Sequence, residues 1–200
     1  GAHVVPVTAL GRDWRGMIVE GLMRDIDLSM DCTAIMDQRV TPCYVKPYRA
    51  GYGDVRYEDP RIDFENRAPL TPDQEDTMIA AVRRAAESAD VIAVSDQLSY
   101  GVISPRVRDA IIAAAAAGKT VIVDSRDRIM QYPNCIVKPN ELESARAVNQ
   151  RPECVTPDAY LPVAQALSDK TGRSVIITLG GGGALCFCDG RAMHAPAQRV

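Results

Sequence analysis

Histidine is nearly absent from this chain, with two in 200 residues, and none of the six cysteines forms a Cys-x-x-Cys pair. A zinc site is therefore not expected, and reduced thiols in a cytoplasmic protein are the default reading. His3 and His194 sit in strand-like stretches near the ends and read as structural, so no Ser-His-Asp arrangement is credible. Lys/Arg-rich blocks are also missing, and the net charge is a mild −3, which argues against a nucleic-acid partner. The longest apolar stretch, residues 110–117, is short and Ala-rich, so no membrane span is expected. The chain opens directly in a strand pattern after Gly1, and no signal peptide is expected.

What is present is an alternation of strand and helix. Residues 4–10 read as a strand, followed by a helix over about 14–24. Thr71, Pro72 and Gln74 form an N-cap, an N1 proline and a capping box for a helix that turns Met78, Ile79 and Val82 inward. Strands follow at 90–94, 119–124, 135–137 and 174–179, with helices opening at Ser104-Pro105 and Thr156-Pro157 and ending at Gly118 and Gly172. This order implies an α/β fold with a mainly parallel, Rossmann-like sheet flanked by helices. The runs VIAV, VIV and SVIITL fit strands buried on both faces. After Gly183 the stretches ALCFC and RAMHAPA, joined by Asp189-Gly190, read as a β-hairpin, with Cys186 and Cys188 on one face. Residues 41–57 interrupt the alternation. They carry four of the seven tyrosines but little apolar surface, and read as a pair of exposed strands, a lid or an interface.

Four strands end in polar or glycine-rich turns. In KPNELE, Pro139 ends the strand at Lys138, Asn140 suits an N-cap and Glu143 falls at N3. A capped helix explains these residues; so does a crevice where a cation, an amide and a carboxylate meet phosphates and a metal ion. Thr178 leads into four successive glycines, Gly180 to Gly183, which serve either a tight turn or a loop that approaches a nucleotide closely. No Gly-Lys-Ser/Thr follows, and a strand rather than a helix comes next, which argues against a Walker A loop, a dinucleotide fingerprint or a nucleotidyltransferase module. Asp96 in SDQ and Asp124 in DSR each place a carboxylate at a strand end, as an Asx turn, a cap or a ligand contact.

In combination, strand–SDQ, strand–DSR, strand–KPNELE and strand–TLGGGGAL resemble the ribokinase-like (PfkB) carbohydrate kinases. The segment Arg61-Ile62-Asp63-Phe64-Glu65-Asn66-Arg67 and the pair Gly101-Val102 are similar to the heptose 7-phosphate kinase branch found in ADP-heptose synthases. The likeness spans nearly the whole chain, and it implies a partial ribokinase-like kinase domain over 1–200 with a small β-lid insert at 41–57. It further implies ATP-dependent phosphorylation of a sugar or sugar phosphate, with ATP and Mg²⁺. By the resemblance, Lys138, Asn140, Thr178, Gly180 and Gly183 meet the nucleotide, and Glu143 meets the metal. Asp96, Asp124, Arg126, Tyr44 and Lys46 are candidate substrate or phosphate contacts. The lid implies a homodimer formed lid to lid. The family's first sugar-binding strand is expected before Gly1, and its Gly-Ala-Gly-Asp segment, with the catalytic base and anion hole, after Val200. The chain is therefore expected to be truncated and inactive alone; a non-catalytic nucleotide- or sugar-binding protein of the same fold is the alternative.

Overall fold

The computed structural model describes residues 1–53 and 55–198, and the chain divides into two units. The first holds residues 1–85 and 98–107. It begins with β1 (Thr8–Gly11), α1 (Trp14–Asp25) and β2 (Thr33–Met36). β1 is shorter than the expected strand, and β2, which carries no strong turn signal, pairs with it in parallel, Ala9 opposite Ala34. Asp13 sets the start of α1. Its carboxylate accepts the Gly16 N–H at 2.8 Å, the Thr41 N–H at 3.0 Å and the Arg15 guanidinium at 2.8 Å.

The insert is larger than the sequence suggests. It consists of β3 (Cys43–Val45), β4 (Tyr48–Ala50), β5 (Arg56–Glu58) and β6 (Ile62–Phe64), with β3 antiparallel to β6 and β4 to β5. The ribbon therefore returns through Phe64 rather than stopping at 57, because β3 finds its partner only in the IDF stretch, Tyr44 opposite Asp63. Asp54, inside the expected insert, lies outside the described residues. Asn66 closes the base of the ribbon: its amide donates to the Val40 carbonyl and accepts the Val40 N–H, both at 2.9 Å. Next comes α2 (Pro72–Ser88), opened by the expected capping box between Thr71 and Gln74, with Met78 and Val82 buried.

The second unit holds residues 86–97 and 108 onward. β7 (Val91–Asp96) and α3 (Pro105–Ala116) lead to β8 (Thr120–Ser125), a 3-10 turn at Ile129–Gln131, and β9 (Ile136–Val137). α4 (Glu141–Ala147), α5 (Pro157–Thr171), β10 (Val175–Thr178), a 3-10 turn at Gly180–Gly182, β11 (Ala184–Cys188) and β12 (Arg191–Ala195) follow. The sheet order is β12-β11-β10-β9-β8-β7, parallel from β7 to β10 and antiparallel at β11 and β12. The mainly parallel α/β sheet expected from the alternation is therefore present. Val163, Ala164 and Leu167 on α5 are fully buried, as are Val175 and Ile177 on β10. Thr156 caps α5 and Gly172, at φ 70, ends it. Asp189 and Gly190, at φ 50 and 73, make the left-handed turn that the hairpin twist requires. Cys186 and Cys188 share the half-exposed face of β11, between buried Leu185 and Phe187. Burial pushes the Cys135 thiol up to about 11, so it stays protonated at neutral pH.

One expectation is corrected here. β7 is an edge strand of this sheet, and Val91, Ala93 and Ser95 are exposed, so VIAV is not buried on both faces. Asp96 does not join Asp124. Register places Asp96 opposite Ser125 and Ser95 opposite Asp124, so strand alternation sends the two carboxylates to opposite faces. Asp96 is buried, and its oxygens accept a bidentate pair from Arg128, the Tyr132 hydroxyl at 2.8 Å and the Ser125 hydroxyl at 3.2 Å. Burial alone would raise its pKa, but Arg128 and Tyr132 outweigh that and hold it below the usual carboxylate value. Arg108 stands 4.0 Å away and donates to Gln131 at 2.6 Å.

Removing the acid takes a buried carboxylate, and the hydrogen bonds it accepts, away from Arg128, Tyr132 and Ser125. Asp96→Ala should destabilise the fold by about 3 kcal/mol in urea titration, within the range for breaking a buried pair; a change under about 1 kcal/mol would contradict the network. Asp13 offers a pH test. Burial opposes its ionisation, but the Gly16 and Thr41 N–H groups and Arg15 bring its pKa from 3.8 to about 2. A lowered folded pKa contributes stability above the unfolded value and loses it as pH falls from 3.8 through about 2. Asp13→Asn loses the acceptor for Thr41 and Arg15 at every pH, so the test is the pH dependence: its stability deficit should be about 1 kcal/mol larger at pH 6 than at pH 2, after discounting for solvent.

Candidate functional site

The second unit's strand ends collect the chemistry. Val123 pairs with Val137, so the next residues, Asp124 and Lys138, come side by side on one face. Lys138 Nζ lies 2.7 Å from Asp124 Oδ2, and Gln97 Nε2 donates to Asp124 Oδ1 at 2.6 Å. Gln97 follows Ser95 by two residues and thus reaches the Asp124 face; sequence reading passed over it, although this parity was available once the strand was recognised. Lys138 and Asp124 keep 38% and 34% side-chain exposure, so the pair is solvent-screened and worth at most about 1 kcal/mol. Arg126 is exposed one turn further on, and its N–H donates to the Asp96 carbonyl at 3.3 Å.

Beside this pair lies the KPNELE turn. The Lys138 N–H still donates to the Val123 carbonyl at 2.8 Å, and then Pro139 breaks the ladder. Asn140 caps α4 in a reciprocal box: its Oδ1 accepts the Glu143 N–H at 2.8 Å, and Glu143 Oε2 accepts the Asn140 N–H at 3.0 Å. The capping reading of this motif is thus realised. Oε1 of Glu143 accepts no hydrogen bond among the described residues.

The turn also touches the glycine loop. Asn140 forms a parallel bridge with Thr178, whose N–H donates to the Pro139 carbonyl at 3.1 Å. KPNELE and TLGGGG, bridged by residues 38 positions apart in the chain, are therefore neighbours at one edge. The loop closes on itself through Gly182 N–H to Leu179 O at 2.9 Å, Gly183 N–H to Gly180 O at 3.1 Å and Leu179 N–H to Gly183 O at 2.8 Å. Gly183 is required here. Its φ is 88, and a Cβ would lie 2.0 Å from the Ala195 carbonyl oxygen. Gly180 and Gly181 form the exposed tip.

The structure thus brings together Asp124 with Lys138, and Asn140 and Glu143 with Thr178, Gly180 and Gly183. Tyr44 and Lys46 belong to the first unit. The Tyr44 hydroxyl donates to Glu65 at 3.1 Å under the Arg61 guanidinium, 4.7 Å from the ring centre, and Lys46 pairs with Glu58 at 3.2 Å. A base after Val200 lies outside the described residues. Among the described residues no helix is long and apolar enough to cross a membrane.

Comparison with known proteins bears on the family and the fold. The model of the pfkB family carbohydrate kinases matches residues 1–200. The chain is 31% identical over 209 residues to the bifunctional protein HldE of Caulobacter vibrioides, covering 100% of this chain and 40% of that protein. It is 30% identical over 149 residues to the bifunctional protein HldE of Gluconacetobacter diazotrophicus, covering 74% and 30% respectively. The chain thus spans at most 40% of these two relatives. Phosphofructokinase-2 from Escherichia coli in complex with fructose-6-phosphate superposes with a TM-score of 0.74 at 22% identity, over 96% of this chain and 62% of that one. Ribokinase from Giardia lamblia gives 0.67 at 14%, over 96% and 58%. At such identities the structures speak for the fold, which is ribokinase-like. The chain belongs to the pfkB family of carbohydrate kinases.

Proposed function

We propose that the protein carrying this chain is an ATP-dependent kinase that transfers the γ-phosphoryl group to a hydroxyl of a sugar or sugar phosphate. The observation that carries this reading is the bridge between Asn140 and Thr178, which sets a capped cation–amide–carboxylate turn against a glycine loop at the C-terminal edge of a parallel sheet. Lys138, Asn140, Thr178, Gly180 and Gly183 meet the nucleotide. Asp124 and Arg126 border the phosphate path, and Tyr44 and Lys46 face the sugar. Asp96 has its carboxylate taken up by Arg128, Tyr132 and Ser125, and it braces the strand ends instead of touching the substrate.

Mg²⁺ fits this donor set. The ion is typically held by one or two carboxylates together with water and substrate phosphates. No group of three or more acidic, His or Cys side chains that could cage a metal occurs among the described residues, and Glu143 Oε1 accepts no hydrogen bond among them. Glu143 would hold the ion, which when bound neutralises charge on the phosphate oxygens. Lys138 rests against Asp124, and a phosphate can draw it away because the screened pair is weak. The positioned Lys138 ammonium and the loop N–H groups then stabilise negative charge on the transferring group. ATP as donor and six free cysteines support a cytoplasmic location. The exposed ring of Tyr48 on β4 supports a homodimer formed lid to lid.

The full-length protein, incubated with ATP, Mg²⁺ and a panel of sugars and sugar phosphates, should phosphorylate at least one of them; ATP binding without turnover on any of them would favour the non-catalytic alternative. Glu143→Gln separates the metal role from the cap, because Gln still accepts the Asn140 N–H. Its melting temperature should stay near that of the wild type while kcat falls roughly 10²-fold. Unchanged turnover at saturating Mg²⁺ would sink the metal role. Tyr48→Glu should shift the sedimentation of the full-length protein from dimer to monomer, and an unaltered profile speaks against the lid interface.

A further inference from the structure

Four glycines in succession are free to turn their peptide planes, because each glycine populates positive and negative φ about equally. The loop's own bonds secure the Gly182–Gly183 peptide from one side only, through Gly183 N–H to Gly180 O. The other side is held by a residue from the hairpin. Nε2 of His194 lies 2.6 Å from the Gly182 carbonyl oxygen. A carbonyl only accepts, so Nε2 carries the proton. In a planar trans peptide the C=O and N–H point in opposite directions, so the two bonds grip one plane from opposite edges. His194 reaches this place by register: Leu185 pairs with His194 and Ala184 with Ala195, next to Gly183. The 2.0 Å approach expected between a Gly183 Cβ and the Ala195 oxygen shows how closely the loop's exit lies on the same strand.

We propose that His194 is a positioning residue for the nucleotide: it pins the Gly182–Gly183 peptide and so fixes the shape of the exposed Gly180–Gly181 tip. The inference rests on the reading of this loop as the nucleotide contact. Loss of the pin lets the 182–183 plane rotate, which breaks the Gly183 N–H bond to Gly180 and opens the turn. Replacement of the imidazole by another N–H donor of similar reach preserves it.

The test uses the full-length protein with His194→Val, which suits an exposed edge strand, and His194→Gln, which keeps a donor. ATP affinity in the presence of Mg²⁺ is measured by calorimetry, and amide hydrogen exchange is followed at Gly183 and along β10. The Val variant is expected to bind ATP about fivefold more weakly, the scale of one hydrogen bond, with faster exchange at Gly183 and unchanged exchange in β10. The Gln variant should return both to within about twofold of wild type. Wild-type ATP affinity in the Val variant overturns the positioning role, whatever the exchange shows. A Gln variant as weak as Val overturns the donor role, and faster exchange throughout β10 reduces His194 to a general stabiliser. If the wild type binds no ATP, the nucleotide reading falls and the positioning role with it, while exchange at Gly183 still reports whether the pin itself exists.

Discussion

The register of β8 against β9, with Val123 opposite Val137, is the constraint on which the strand-end chemistry of the second unit depends. One residue further, it lays Lys138 against Asp124, and continued to β10 it lays Asn140 against Thr178. A parallel strand slipped by one residue would send each of these side chains to the other face. Hydrophobic burial forbids the slip, since Val121, Val123 and Val137 would leave the core where all three are almost fully buried. The polar edge is thus held in place by apolar residues that take no part in it.

The same alternation divides the two aspartates into different tasks. Asp96 faces the interior, where its buried carboxylate accepts hydrogen bonds from Arg128, Tyr132 and Ser125, an arrangement expected to be costly to break. Asp124 faces solvent in part and holds Lys138 through a screened pair worth far less. The strong interaction joins β7 to the turn after β8, whereas the weak one costs little to break.

Features that depend on a few neighbouring residues were legible in the sequence. The capping boxes at Thr71 and Asn140, the Thr156 cap, the Gly172 stop and the Asp189-Gly190 turn appear where the residues indicate. The glycine loop and KPNELE were visible as candidate contacts for the same local reason. The ribbon's return strand at Ile62–Phe64 was not, since its pairing with Cys43–Val45 spans a segment without apolar alternation. Nor was the short β2, which is defined by its pairing with β1 rather than by its own pattern. His194 read as a structural residue near the end of the chain, although the two-residue hairpin turn already implied its place opposite Leu185.

By itself, the sequence determined the element types, the caps and turns, the α/β class and the set of polar strand ends, because each follows from backbone preference and periodicity over a few residues. Tertiary structure decided which of those ends meet. Asp124 with Lys138 and Asn140 with Thr178 are brought together, Asp96 is turned away, and Gln97 and His194 are added. The physical reason is that strand pairing and face selection arise from burial summed over the whole sheet, a quantity that no short stretch of sequence contains.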